Sequence, residues 1–327
     1  TIELINNFYK IDYTREKMKK KKIIIILSII LIFLILSFTY INLDEKNKNT
    51  KEVKVVSSLI EKQEKREKNF KTKGYTIKNP NIILDPYDNS PLTALILFET
   101  NTEVAPKVTI EGKDELSTFT HKFKKDKKHY LAIYGLYANK ENKVKIEYRE
   151  NGKKVSQEIK IKTKELPKNM VLPTSVTADK ENLTNDLYFF TPSSIGYTAA
   201  YDVNGDVRWY LSNNALWKVD KLKNGNLLLS TERLINNPYY MTGLYEMNML
   251  GKIITEYSLK GGYHHDYYEM ENGNLLIASD DFYNDDGTVE DYIVELDRKT
   301  GKIVNTFDLK DILNMQDGKS ENWSAYD

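Results

Sequence analysis

Residues 221–230, Lys-Leu-Lys-Asn-Gly-Asn-Leu-Leu-Leu-Ser, are matched 48 positions later by residues 269–278, Glu-Met-Glu-Asn-Gly-Asn-Leu-Leu-Ile-Ala. Three glycines, Gly205, Gly251 and Gly301, each separate two apolar or aromatic stretches, at spacings of 46 and 50 residues. This period is typical of a four-stranded propeller blade and is too long for an ankyrin or leucine-rich unit. Short strands separated by Asn-Gly and Thr-Gly turns favour an all-β fold over βαβ units. We therefore predict a β-propeller.

The two copies of the repeat differ at one position that matters chemically. Seven residues before the first Asn of each Asn-Gly-Asn stands Trp217 in one copy and His265 in the other, within the Tyr-His-His-Asp of residues 263–266. If Asn-Gly-Asn follows the innermost strand of a blade, the residues before it run along the channel wall, where propellers bind ligands. We expect His265 to face the channel. His264 is the second candidate, for substrate binding. Neighbouring residues of a strand alternate in direction, so His264 would pack between strands when His265 faces the channel.

Each candidate also has a structural interpretation. The ring of His265 could simply be hydrogen-bonded to Asp266. His121 and His129 lie among lysines and are expected at the surface. Four tyrosines near the repeats could stack on an aryl ring, although any one of 23 tyrosines is weak support by itself. They are Tyr239, Tyr240, Tyr267 and Tyr268.

The extent of the chain limits how much of a propeller it can hold. Its 327 residues and 40% apolar content fit a globular protein of more than one domain. Residues 174–327 contain about three repeats, whereas propellers close with roughly four to eight blades. The chain does not begin with Met and ends at Asp327 within the third repeat. We expect an N-terminal fragment of a longer product, with residues 1–17 upstream of the true start at Met18.

A membrane anchor is predicted near the N-terminus. Residues 23–43 carry no charge, and as a helix they would span about 31 Å, against a hydrocarbon core of about 30 Å. Lysines precede this run, so residues 1–22 are predicted to be cytoplasmic and everything after the span extracytoplasmic. No small-residue cleavage site follows, which favours an uncleaved signal anchor over a cleaved signal peptide. We predict a single-pass protein of the cell membrane.

A charged stalk and a β-sandwich are predicted next. Residues 44–74 are rich in Lys and Glu with a short helical pattern, which favours a solvated stalk over a partner helix. Residues 75–166 then show strand patterns. Apolar residues alternate on both sides of Asn151-Gly152, which predicts a β-hairpin with one buried face. The apolar run of residues 92–98 predicts a strand inside a sandwich that ends near Pro167.

Several function classes are excluded by what the sequence lacks. The chain has no Cys, hence no disulfide and no thiol nucleophile, which is compatible with an extracytoplasmic site. Its net charge of +1 provides no electrostatic footprint for nucleic acid. No ligand spacing for zinc or calcium, no phosphate-binding glycine loop and no nucleophile elbow is present. We predict neither a metal nor a cofactor.

Two parts of the chain resemble one known family. Residues 89–100, 118–121 and 133–137 resemble the N-terminal sandwich of bacterial aryl-sulfate sulfotransferases, the type that uses no nucleotide sulfate donor. The His264-His265-Asp266 segment and the following Asn-Gly-Asn are similar to the propeller of the same family. The resemblance therefore runs from about residue 75 to the end.

The resemblance implies a six-bladed propeller whose channel mouth binds a phenolic sulfate, and a His that is sulfated before the group passes to a phenol. Family members also use a His-x-Asn pair, an Arg and the nucleophilic His, all of which would lie beyond Asp327. The resemblance thus implies that this chain supplies only part of the site and is inactive alone. It departs from members that depend on a disulfide, because it has no Cys.

The chemistry suits these residue types. A sulfate monoester carries one negative charge, which imidazolium and guanidinium donors can hold without a metal. The leaving phenolate has a conjugate acid with a pKa of about 10, so protonation by a group that titrates near neutrality assists its departure. We predict that His265 is catalytic, as a donor to the sulfuryl oxygens or as general acid to the phenolate. The missing His would be the nucleophile of a two-step transfer.

Two other functions stay open. One is a membrane-anchored, non-enzymatic propeller for binding or adhesion. The other is a quinone-cofactor dehydrogenase, suggested by a passing likeness of residues 205–209 to its blade turns, although the carboxylates and calcium site it needs are not apparent. For the sulfotransferase, the partners are a phenolic sulfate donor, a phenol acceptor and the membrane. The sequence does not set the oligomeric state, and a homodimer stays open.

Overall fold

The computed structural model describes residues 59–192, 196–213, 215, 217–236, 240–280 and 292–312. Contacts divide the chain into residues 1–61 and one compact unit of residues 62–327. The described part is built of antiparallel strands in five open sheets, which confirms the all-β prediction. None of its helices has the length and apolarity to cross a bilayer. The predicted span of residues 23–43 lies outside the described residues.

The first seven strands form two sheets, β1-β2-β5 and β4-β3-β6-β7, that enclose one core. Their bounds are β1 (Asn81–Leu84), β2 (Ala94–Val104), β3 (Lys107–Ile110), β4 (Phe119–Lys122), β5 (Asp126–Ile133), β6 (Glu141–Glu150) and β7 (Lys153–Lys162). Ile96 and Phe98 of β2 pack in this core with Ile146 of β6. The other face of β2 is also buried, since Leu95 and Leu97 contact Leu250. Burial of both faces explains the continuous apolar run around residues 94–98.

The predicted hairpin is confirmed. β6 and β7 pair in register from Glu141 opposite Lys162 to Glu150 opposite Lys153. Asn151 and Gly152 form the turn with φ of 50° and 77°, the left-handed values that a tight hairpin turn requires.

The expectations for the two sandwich histidines divide. His121 is exposed on β4, as predicted. The surface prediction for His129 is wrong, because it is only 2% exposed, packs against Phe98 with ring centroids 4.6 Å apart and hydrogen-bonds to Thr100. Burial lowers the pKa of His129, against the opposing charges of Asp126 and Glu150.

Three further sheets follow in chain order: β10-β9-β8, then β11-β12-β14 with β13 and β15 both on β14, then β16-β17-β18-β19. Their bounds are β8 (Tyr188–Phe190), β9 (Ala199–Tyr201), β10 (Val207–Tyr210), β11 (Val219–Lys221), β12 (Leu227–Ser230), β13 (Leu234–Asn236), β14 (Tyr240–Met247), β15 (Ile253–Tyr263), β16 (Tyr267–Glu269), β17 (Leu275–Ser279), β18 (Tyr292–Asp297) and β19 (Lys302–Asp308). Two short helices, Lys180–Asn182 and Leu309–Ile312, flank them. Closure of such sheets into a propeller stays a prediction.

The glycine turns of the three sheets share one construction. Gly205, Gly251 and Gly301 have φ of 76°, 91° and 68° and connect the last two strands of each sheet. An Asx side chain at the start of each turn accepts backbone N–H groups, which is how such side chains stabilise tight turns. These side chains are Asp202, Asn248 and Asp297. The glycine spacing in the sequence is therefore a spacing of equivalent turns.

The Asn-Gly-Asn motifs link neighbouring strands of their own sheets. The Asn226 amide donates to Glu246 of β14 at 2.6 Å, and the Asn274 amide donates to Glu295 of β18 at 2.6 Å. Burial works to raise the pKa of the Glu246 carboxyl, but the hydrogen bonds it accepts outweigh burial and lower the pKa. The motif is thus structural. It ties the turn to the next strand of its sheet and so holds the preceding strand of each repeat in place.

The end of the predicted stalk is exposed for the most part, but several of its polar side chains contact the repeats. Residues 59–67 are helical, and Gln63 exchanges two hydrogen bonds with the backbone of Ile253, at 2.8 and 3.1 Å. Glu67 pairs with Lys252 and accepts a hydrogen bond from Tyr87 at 2.8 Å. At this end of the predicted stalk, Gln63 and Glu67 therefore pair with a turn of the repeats, while most of the neighbouring residues are exposed.

Arg208 joins the sandwich to the first repeat. Its fully buried guanidinium donates to Asp202 at 2.7 Å and to the carbonyl oxygens of Gly135 and Ser117, each at 2.8 Å. It also lies over the ring of Tyr137, 3.8 Å from the centroid. A buried charge needs such partners, because an unpaired one carries a large desolvation penalty. The sandwich and the first repeat are therefore held together by a paired interior charge.

Candidate functional site

Three residues of the tetrad, His264, His265 and Asp266, form the turn between β15, which ends at Tyr263, and β16. The Asp266 N–H donates to the His264 carbonyl at 2.8 Å, which closes a three-residue turn centred on His265, whose φ is 58°. The Tyr263 hydroxyl donates to the His265 carbonyl at 3.0 Å. The Ala278 N–H donates to the Asp266 carbonyl at 3.0 Å. The turn is thus tied to the strands on both sides of it.

A glycine pair just before the tetrad makes this geometry accessible. A Cβ on Gly261 would overlap with the carbonyl oxygen of Asp280, so only glycine allows the end of β15 to approach the end of β17 this closely. The carbonyl of Gly262 accepts a hydrogen bond from Ser279 at 2.7 Å. Sequence reasoning did not single out these glycines, although a Gly-Gly pair at the end of a strand could have indicated a close approach.

The two histidines lie in different environments, but their rings are stacked. His264 is 4% exposed, whereas His265 is exposed. Their ring centroids are 4.0 Å apart with an interplanar angle of 18°. The expectation that they would point to opposite sides of one strand is therefore wrong, because the left-handed backbone at His265 turns both rings to the same side. The predicted roles of both in catalysis or binding stay predictions.

Trp217 contributes the third ring of the cluster. It occupies the position in its repeat that His265 occupies in the next, and it has the same left-handed backbone, with φ of 70°. Its ring meets those of His264 and His265 edge-on, with centroid distances of 5.0 and 4.4 Å. Equivalent positions of two successive repeats therefore meet at this point.

The candidate tyrosines divide by burial. Tyr240 is fully buried and stacks on His264 at 4.6 Å, and Tyr267 is buried between the second and third repeats. Both therefore contribute packing and support rather than an open face for a ligand. Tyr268 is 64% exposed on β16. Tyr239 lies outside the described residues.

Lys218 and Asp266 form the charged edge of the cluster. The Lys218 ammonium lies 2.7 Å from Asp266 and 2.9 Å from Asp220, and it donates to the Tyr267 carbonyl at 3.0 Å. Burial works to lower the pKa of Lys218, but the hydrogen bonds to both carboxylates outweigh it and raise the pKa. Asp266 also accepts a hydrogen bond from the Tyr267 N–H at 2.7 Å. The ammonium is therefore charged and shared by two repeats.

A large apolar cavity lies elsewhere in the chain. It measures about 680 Å³ and is lined by residues 171–173, 175–179, 182 and 183 together with side chains of β8 and β9, including Tyr188 and Phe190. It contains no Lys, Arg or His, and its Asp202 is already paired with Arg208. Such a lining cannot neutralise an anionic ester. The ring cluster at His265 is the better candidate, because it combines an exposed imidazole with neighbouring aromatic rings.

The cluster offers proton transfer and hydrogen-bond donation. An exposed imidazole can donate to an anionic oxygen and exchange a proton near neutral pH. In the described part of the chain, no group of three or more His, Asp or Glu side chains is arranged to hold a metal ion.

Comparison with known proteins places the chain in a family. Residues 173–326 match the profile of the arylsulfotransferase (ASST) family, and residues 81–164 match the arylsulfotransferase Ig-like domain. The arylsulfate sulfotransferase AssT of Lelliottia amnigena is 26% identical over 293 residues, and the protein of that name from Escherichia coli O6:H1 is 25% identical over 304 residues. Each alignment covers 71% of this chain and 49% of the relative. The chain thus spans about half the length of these curated relatives.

The two profiles cover more than half of the 327 residues, one over the sandwich strands and one over the three repeat sheets. This confirms the resemblance seen in the sequence. The chain belongs to the arylsulfotransferase family.

Proposed function

We propose that the protein to which this chain contributes transfers a sulfuryl group from a phenolic sulfate ester to a phenol, and that His265 acts in its site. Family membership and the two relatives named arylsulfate sulfotransferases support the reaction class. The observation that supports a role for His265 is the position of its ring. Its ring is exposed at the rim of a buried aromatic stack, on a backbone turn fixed by hydrogen bonds to neighbouring strands.

The proposed architecture is a six-bladed propeller in which the second and third repeat sheets are two blades. β11 and β16 are the first strands of these sheets and lie at equivalent edges, β11 beside β12 and β16 beside β17. Tyr267 of β16 connects the two sheets, because its hydroxyl donates to the Leu228 carbonyl at 2.5 Å. First strands line the channel of a propeller, so the turns before them, with Trp217 and His265, would stand at one mouth of it.

The proposed transfer has two balanced steps. A histidine supplied by sequence beyond Asp327 attacks the sulfur, the bond from sulfur to the aryl oxygen breaks, and the departing phenolate takes a proton from His265. The acceptor phenol then attacks the sulfohistidine, the nitrogen–sulfur bond breaks, and the phenol's proton passes to His265. Protonation of the leaving oxygen by a positioned group contributes about 10²- to 10⁴-fold to a rate. Histidine is suited to both directions, since its ordinary pKa lies near neutrality.

The proposed location is the outer face of the cell membrane. The uncharged run of residues 23–43 and the lysines before it support an anchor with a cytoplasmic N-terminus. The absence of Cys from the sequence is compatible with this location.

The experiment is turnover of a chromogenic aryl sulfate by the full-length protein, with and without a phenol acceptor. We expect release that requires the acceptor, and a loss of at least about 100-fold in His265→Asn, which removes the imidazole but tolerates the left-handed backbone. His121→Asn, at an exposed position of the sandwich, is the matched control and should be unaffected. An unchanged rate in His265→Asn with intact folding would remove His265 from the mechanism. Binding without release would favour the non-enzymatic alternative.

A second arm tests whether the site is shared with other parts of the protein. Residues 44–327 alone should show no turnover, since the proposed nucleophile is not among them. Turnover by this fragment would contradict the two-step proposal.

A further inference from the structure

Lys218 belongs to the second repeat sheet but binds the turn of the third. It lies directly before β11, just as Asp266 lies directly before β16, so the two charged residues hold equivalent positions in successive repeats. Their side chains pair at 2.7 Å. The ammonium also donates to the backbone carbonyl of Tyr267, the first residue of β16. One side chain therefore connects the second repeat to the segment that presents His265.

All three protons of this ammonium have acceptors. They are Asp266 at 2.7 Å, Asp220 at 2.9 Å and the Tyr267 carbonyl at 3.0 Å. A lysine has only three donors, so Lys218 has none left for a substrate oxygen. Its two carboxylate partners also offset its positive charge. Lys218 is therefore poorly suited to bind an anionic ester directly and well suited to hold the turn.

The turn requires such support. His265 is a non-glycine residue in the left-handed region, a conformation that persists only where the surroundings over-determine it. Its neighbour Asp266 is bonded through its side chain to Lys218 and to the Tyr267 N–H. Without the ammonium, this exposed carboxylate would lose its anchor on the neighbouring sheet. A misplacement of about 1 Å at a catalytic group can cost about 100-fold in rate.

We propose that Lys218 is a positioning residue that clamps the His265 turn to the preceding repeat. Its kinetic consequence rests on the proposed function, whereas its effect on the turn does not. Lys223 offers a matched control, because its ammonium also crosses between the same two sheets, to the Met270 carbonyl at 3.0 Å. That contact lies at the Asn-Gly-Asn end of the sheets, on the far side of β11 and β16 from His265.

The kinetic test compares three variants of the full-length protein with an aryl sulfate donor and a phenol. Lys218→Met should lower kcat at least about tenfold while KM stays within about twofold, because the reacting group is displaced but the substrate pocket is not. Lys218→Arg, which keeps the charge and several donors, should recover kcat to within about threefold of wild type. Lys223→Met should stay within about twofold. Equal effects of Lys218→Met and Lys223→Met would overturn the proposal.

Hydrogen exchange of the backbone amides provides a readout that needs no activity. In this chain, the peptide containing Asp266 and Tyr267 should exchange at least about tenfold faster in Lys218→Met than in wild type, and at the wild-type rate in Lys223→Met. If wild type shows no turnover but this difference appears, the sulfotransferase proposal fails and the clamp stands. If exchange in Lys218→Met equals that of wild type, the clamp itself is refuted.

Discussion

Trp217 and His265 occupy the same position in successive repeats, share a left-handed backbone and meet with their rings 4.4 Å apart. Large side chains rarely adopt this conformation, and for Trp it is a true outlier. Glycine or asparagine would suit both positions better. Both positions instead carry aromatic rings, and these rings are in contact. The contact between the side chains therefore matters more here than the avoidance of backbone strain.

The left-handed backbone of Trp217 can be tested by comparing two substitutions. Trp217→Ala and Trp217→Asn both remove the indole, but Asn tolerates the left-handed region better by about 1 kcal/mol. We expect Trp217→Asn to be the more stable of the two by about that amount in urea unfolding. The same pair at Tyr268, in the strand β16, should show no advantage for Asn. Identical stabilities at position 217 would refute the conformational interpretation.

The buried pair of Arg208 and Asp202 should dominate the stability of the junction between the sandwich and the first repeat. Arg208→Met leaves the Asp202 carboxylate without its charge partner, and we expect a loss of about 3–5 kcal/mol in the free energy of unfolding. Adding Asp202→Asn should recover part of this loss, because the remaining buried group is then neutral. Lys143→Met, at the exposed ion pair with Glu111, should change stability by less than about 0.5 kcal/mol. A similar loss at both sites would contradict this account.

Glu246 and Glu295 hold equivalent positions in their repeats but accept hydrogen bonds from different sets of partners. Both accept hydrogen bonds from the asparagines of their repeats, but Glu246 is also bonded to Tyr257 and to Arg298 of the next sheet, at 2.8 and 3.1 Å. Glu246→Gln places amide protons against these donors, and we expect it to cost about 2 kcal/mol of unfolding free energy. Glu295→Gln should cost less. Equal losses in thermal unfolding would show that the contact between sheets contributes nothing.

His129 should make stability depend on pH. Burial lowers its pKa below the ordinary 6.5, so the unfolded chain gains a proton as pH falls through 6.5 while the folded chain does not. Stability is therefore complete above that pH and declines below it, so it should be lower at about pH 5.5 than at about pH 7.5. His129→Gln, which can keep the hydrogen bond to Thr100, should flatten this part of the profile. The free energy of unfolding is measured by urea denaturation at both pH values. If its change between them is the same in His129→Gln as in wild type, His129 is not the source of the pH dependence.

The periodic features of the fold were open to prediction from sequence. The equivalent turns at Gly205, Gly251 and Gly301 and the hairpin turn at Asn151-Gly152 follow from local backbone chemistry. The apolar run ending at Phe98 predicted a buried strand. Each of these signals is local, so the sequence carries it in full.

The features that were missed depend on contacts between distant residues. The left-handed turn at His265 depends on hydrogen bonds from Ala278 and Lys218, which strand periodicity does not reveal. The burial of His129 follows from its pairing opposite Phe98, although lysines surround it in sequence. Gln63 likewise appeared to belong to a solvated segment. In each case a tertiary contact overrides the local pattern.

The burial of Leu95 and Leu97 against Leu250 also has a consequence for synthesis. Chains fold from the N-terminus as they leave the ribosome, and the last strand of the sandwich ends at Lys162, well before Leu250 emerges. During that interval the nascent sandwich displays an uncovered leucine surface. Until the second repeat is synthesised and covers it, this surface can bind chaperones or associate prematurely with other chains.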